Sequence, residues 1–139
     1  MPFQFTVRGK PQGKARARTF YNQKLGKMQS ITPEQTINYE VLIRWEYKAH
    51  GGKYLGDVPL MVCITACYPI PKSYSNKKRE AASKDLIKPT VKPDCDNIIK
   101  VVLDALNGVA YHDDSQVVAV VMKKKYADLG CLYITIEEL

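Results

Sequence analysis

The first acidic residue of this 139-residue chain is Glu34. Seven lysines and arginines precede it with no carboxylate among them, which excludes a self-neutralised surface there. The segment points to a polyanion partner, with a solvated lysine face as the plain alternative. No apolar run approaches the roughly 20 residues of a membrane span, and MPFQFTVRGK has neither region of a secretion signal. A cytoplasmic protein with no membrane partner is expected. Histidine is scarce. His50 and His112 share no zinc spacing with Cys63, Cys67, Cys95 and Cys131, and no CxxC occurs. Zinc-finger and dithiol chemistry are thereby set aside, and the cysteines read as reduced. Repeats, low-complexity tracts and linkers are missing too, so residues 1–139 are read as a single domain with enough apolar residues for a core.

What is present alternates between strand and helix signals. FQFTVRG has the period of a half-buried strand, and the basic stretch after it, with Lys10, Lys14, Arg16 and Arg18, reads as a loop or hairpin carrying Phe20 and Tyr21. Thr32, Pro33 and Gln35 predict a capping box opening a helix that runs to about Lys48, with Ile37, Val41, Trp45 and nearby Ile43 as its buried stripe. VPLMVCITACYPI is a continuous apolar run, expected as a central strand covered on both faces. A second basic run, residues 72–92, holds seven cations against Glu80 and Asp85, with room for a short helix at 76–84. A helix from Asp96 follows, ended by Asn107 and Gly108. VVAVVMKKKY and CLYITIEEL then read as two strands of a hairpin joined by ADLG. The sum is an α+β domain, a mixed sheet of about four strands covered by helices.

Five aspartates interrupt the basic background within VKPDCDNIIKVVLDALNGVAYHDDSQVV. Asp94 and Asp96 fall at the start of the third helix, where carboxylates cap free amides and suit the dipole. Capping accounts for one of them at most, and not for Asp113 and Asp114 as well. Asp96, Lys100 and Asp104 recur every four residues, with Asn97 beside them, forming a polar stripe opposite Ile98, Ile99, Val102 and Leu106. That helix rises about 18 Å, and the seven steps from Asn107 to Asp114 span at most roughly 25 Å. Return of the second acidic pair along the helix and its supply by a partner subunit are both allowed. Clustered carboxylates without histidine or thiolate favour Mg²⁺, with Mn²⁺ as a substitute, and such an ion beside basic arms suits phosphodiester hydrolysis.

Residues 92–117, KPDCDNIIKVVLDALNGVAYHDDSQV, closely resemble the signature of the RusA family of Holliday-junction resolvases of bacteria and their phages. The resemblance implies a homodimeric, Mg²⁺-dependent, nucleoid-associated endonuclease that makes paired nicks in four-way DNA junctions during recombination and repair. It also implies roles by position: Asp94, Asp96 and Asp114 as metal-site carboxylates, Asp113 as their supporting neighbour, and Lys100 as the catalytic lysine. Asn97 and Asp104 fall on motif positions with structural roles. Lys10, Lys14, Arg16, Arg18, Lys72, Lys77, Lys78, Arg79 and Lys92 would follow the DNA backbone, giving affinity with little sequence information. Phe20, Tyr21 and Tyr74 are candidates for stacking on unpaired bases, against core packing as the ordinary role of such rings. Two alternatives stay open: a fork, flap or RNA nuclease with the same metal chemistry, and a non-catalytic basic DNA-binding protein.

Overall fold

The apolar run becomes β4 (Leu60–Pro69), and its neighbours set the architecture of the computed structural model, which describes residues 2–15 and 18–139. Arg16 and the side chain of Arg18 lie outside the described residues. In chain order the other elements are β1 (Phe3–Arg8), β2 (Arg18–Asn22), β3 (Lys27–Ile31), α1 (Glu34–Ala49), α2 (Asn76–Ser83), α3 (Cys95–Leu106), a 3₁₀ turn (Asp114–Gln116), β5 (Val117–Ala127) and β6 (Cys131–Glu138). They form an α+β domain whose main sheet has the order β1-β6-β4-β5, with β2 and β3 paired separately.

β4 is central, as its two-sided apolarity predicts, and this displaces the expected terminal hairpin. β4 pairs parallel with β5 and antiparallel with β6, so β5 and β6 flank it instead of each other. The cover on β4 is also one-sided. Leu60, Val62, Ile64, Ala66 and Tyr68 are buried toward the helices, whereas Met61, Cys63 and Thr65 on the opposite face are only half-buried.

α3 buries Ile98, Val101, Val102, Ala105 and Leu106 against that sheet, which leaves its polar side outward. The isoleucine, valines and leucine among them contribute roughly 1.5–3 kcal/mol each. α1 packs on α3 and β1 through a face the sequence does not advertise. Its buried residues are Thr36, Tyr39, Ile43, Glu46 and Tyr47, while Ile37, Val41 and Trp45 are exposed. The cause lies in its partners. Tyr47 meets Phe3 and Phe5 edge-on, and buried Glu46 accepts from the Arg8 guanidinium at 3.5 Å. The helix starts one residue later than predicted, with Pro33 at the cap position and no side-chain cap. α2 does begin with one: Ser75 accepts from the Lys78 amide.

Candidate active site

At the start of α3 the chain presents two carboxylates that nothing among the described residues consumes. Asp94 occupies the cap position in extended conformation, yet its side chain accepts no capping hydrogen bond, and Asp96 lies exposed in the first turn. The helix dipole favours both charges by about 0.3–1 kcal/mol each. The loop that delivers them is held from three sides. Tyr68, at the end of β4, donates its hydroxyl to the Pro93 carbonyl at 2.6 Å. Lys124, near the end of β5, donates to the Val91 carbonyl at 2.6 Å. Gly13 lies so close that a Cβ there would approach the Cβ atoms of Asn97 at 2.9 Å and Pro93 at 3.0 Å. Burial, followed by the nearby Cys95 and Asp94, pushes the Tyr68 phenol up to about 12, so it remains a donor at neutral pH. Neither Tyr68 nor Lys124 stands out in the sequence, because their role depends on strand ends meeting a loop distant in the chain.

A groove of about 700 Å³ runs between the basic loop and α3, lined by Lys10, Lys14, Lys92, Asp94 and Asn97 among others. Its cations differ in what they face. Lys10, Lys92 and Lys100 are exposed. Lys14 is bound within the chain, 3.0 Å from Glu40 of α1 and 3.2 Å from Asp104 of α3. Desolvation pulls its ammonium down, but the two carboxylates more than offset this and hold it raised. Asp104 therefore fastens the basic loop to α3. Further out, Lys72, Lys77 and Lys78 are exposed, with the Lys78 ammonium 4.1 Å over the Tyr74 ring, while Arg79 donates to the Pro71 carbonyl.

The second acidic pair sits at the other end of α3. Gly108, at φ +78°, lets the chain reverse. Buried Tyr111 then donates to the Leu103 carbonyl at 2.6 Å. Asp113 caps the 3₁₀ turn: its carboxylate accepts from the Ser115 amide at 3.1 Å, and hydrogen bonding to Ser115 holds its pKa below the ordinary value. Gln116, not singled out by the sequence, secures this turn by donating to the Gly56 and Val58 carbonyls. Asp114 stands half-buried in the same turn. Burial first, then the charges of Asp114, Asp104 and Asp113, push the Tyr111 phenol up.

The structure thus gathers Asp104, Asp113 and Asp114 around Tyr111, and Asp94 with Asp96 beside Pro93. It does not join the two groups within one chain, and among the described residues no three acidic, histidine or cysteine side chains meet as a metal cluster. Asp94 and Asp96 alone nonetheless suit a small hard cation such as Mg²⁺, which binds through one or two carboxylates and retains its waters.

Two comparisons bear on this arrangement. A family model described as endodeoxyribonuclease RusA matches residues 8–137. An uncharacterized protein of Bacillus subtilis (strain 168), YqaN, is 35% identical over 138 residues, covering 98% of this chain and 96% of its own.

Proposed function

Because the chain belongs to the RusA endodeoxyribonuclease family, we propose that it resolves four-way (Holliday) junctions by paired, Mg²⁺-dependent phosphodiester hydrolysis. It would act as a homodimer in DNA recombination and repair. The observation that carries this reading is the uncapped Asp94 in the wall of a groove also lined by Lys10 and Lys92, with Asp96 exposed in the first turn beside it. Acid without a structural partner among the described residues, set among phosphate-binding cations, is costly for a module that only binds DNA.

Asp94 and Asp96 would hold the ion together with Asp114 of the partner subunit, and Asp113 keeps Asp114 in place through its turn. Such an ion would supply orientation or deprotonation of the attacking water and charge stabilisation at the leaving 3′ oxygen. Lys100, exposed one turn beyond Asp96, offers an ammonium to the scissile phosphate. Lys10, Lys92 and the cations around α2 hold the flanking backbone, with an affinity that falls as salt rises.

Synthetic four-way junction, fork and duplex, compared with Mg²⁺ and with chelator, test the proposal. The wild type is expected to nick the junction in preference to the others, and only with metal. Asp96→Asn and Asp114→Asn should each lower cleavage by at least ~100-fold while binding is kept or strengthened, since a charge that repels phosphate is gone. Tight junction binding by the wild type with no nicking in Mg²⁺ would identify a non-catalytic binder instead, and preferential cutting of forks would move the substrate.

A further inference from the structure

Next to the groove that holds Asp94 lies a second hollow whose walls carry a different chemistry. It measures about 480 Å³ and is formed by Gln12, Glu34, Gln35, Asn38, Tyr39 and Leu42. Gln12 and Gln35 line the groove as well, so the two spaces join across them. Around Asp94 the walls bring three ammonium groups, those of Lys10, Lys14 and Lys92. The hollow brings none. Among the described residues its one charge is the Glu34 carboxylate, which repels phosphate, and its other polar groups are carboxamides and a phenol.

The walls are fixed on both sides. The basic loop is tied to α1 where buried Thr36 accepts from the Ala15 amide at 3.2 Å, and to α3 where the Lys14 amide donates to the Asn97 carbonyl at 3.0 Å. Pro33 occupies the cap position of α1 with no side-chain cap, so Gln35 is released from the capping box its spacing suggested and stands exposed. Tyr39 is the clearest sign of a ligand from outside the chain. It is 3% exposed, and its buried hydroxyl has no hydrogen-bond partner among the described residues. Burial, partly offset by the Gln12 backbone, pushes the phenol up, so it keeps a proton to donate. A buried donor left unmet is costly.

We propose that this hollow takes a nucleobase turned out of the stack beside the scissile phosphate, and that Gln12, Glu34, Gln35 and Asn38 read its edge in favour of bases with an exocyclic amino group. An apolar ring with a polar edge suits a hollow that combines Leu42 with carboxamides. The phosphate stays with the lysines while its base crosses between Gln12 and Gln35. Carboxamides pair bidentately with adenine, and a carboxylate accepts from the cytosine amino group, whereas thymine offers that carboxylate only a carbonyl oxygen. Bases at a branch point lack a continuous stack and cost least to turn out.

The identity of the substrate rests on the nuclease reading, whereas the hollow can be tested without cleavage, and two experiments separate them. The first uses four-way junctions that differ only at the nucleotides flanking the wild-type cut, incubated with Mg²⁺. Wild type is expected to nick beside adenine or cytosine about 5- to 150-fold faster than beside thymine. Gln35→Ala should bring the rates within about threefold of each other, and Glu34→Gln, which adds a donor, should raise the thymine rate specifically. A wild type indifferent to the flanking base, or a preference untouched by both substitutions, overturns the proposal. Tyr39→Phe should weaken the preference and leave Tm unchanged, because the hydroxyl holds nothing in the fold; a lowered Tm with the preference intact speaks against the hollow. In the second experiment chelator prevents cutting, and 2-aminopurine, which brightens on leaving a stack, is scanned through the centre of the junction. One position should brighten on binding wild type and much less on binding Gln35→Ala. No brightening, or equal brightening with both proteins, overturns the turned-out base. Brightening that depends on Gln35, in a chain whose wild type nicks nothing, removes the nuclease reading while the base-binding hollow stands.

Discussion

α3 and the β2–β3 hairpin spend apolar side chains in opposite ways. α3 buries Ile98, Val101, Val102, Ala105 and Leu106, whereas the hairpin leaves Phe20, Tyr21, Leu25, Met28 and Ile31 exposed. The first arrangement fixes two carboxylates on a frame secured from the sheet, the basic loop and the 91–93 segment. The second secures almost nothing: β2 and β3 pair only with each other, and an isolated two-stranded hairpin is marginal in water. Its turn is nevertheless organised, with the Asn22 side chain accepting from the Lys24 and Leu25 amides. The difference teaches where precision is required. On the proposed function, chemistry sits where packing is dense, and the sparsely packed hairpin is left for contact with DNA.

That contrast can be broken at several points. Leu106→Ala is expected to destabilise the protein by about 2–5 kcal/mol, measured by urea unfolding, and no single hairpin substitution should approach it. Tyr21→Ala should leave stability within about 0.5 kcal/mol of wild type but weaken junction binding by about 1–3 kcal/mol. Equal losses on junction and duplex in a titration would mean the ring does not stack on bases. Tyr68→Phe removes one hydrogen bond to the Pro93 carbonyl and should cost about 1 kcal/mol. The loss should appear as a lower cleavage rate with unchanged DNA affinity, because the loop that presents Asp94 loosens. The smallest effect belongs to Asp113. Its carboxyl is lowered from 3.8 in the folded state, so its stabilisation is present above about pH 4 and is lost as pH falls through the lowered value. Asp113→Ala should flatten that acid limb in a plot of Tm against pH, and an unchanged limb would show the cap to be idle.

Much of the frame was legible in the sequence, and the exceptions share a cause. α3 announces itself because its apolar period, acidic start and Asn107–Gly108 stop agree with one another. β4 was readable as central from its unbroken apolarity, but the expected pairing of the last two strands failed, since local turn signals do not say whether a third strand will lie between them. α1 misled for a chemical reason. Ile37, Val41 and Trp45 outrank Tyr39, Glu46 and Tyr47 in hydrophobicity, and only Arg8, Phe3 and Phe5 on a distant strand make the polar set the better core. The acidic residues of the proposed site were visible in the motif. Their division between the two ends of α3 was not, because sequence separation bounds reach without giving direction.

Lys14 and Arg8 alter how the basic segment will be measured. Seven cations precede Glu34, but Arg8 is engaged by Glu46 and Lys14 by Glu40 and Asp104, leaving no more than five to displace counterions from DNA. At about 0.9 ions per phosphate neutralised, this segment supplies a slope of log K against log salt no steeper than about −4.5 per chain, or about −9 for the proposed homodimer. A steeper slope assigns the remainder to the α2 region and to Lys92 and Lys100, so a salt titration alone measures how far the junction spreads across the protein.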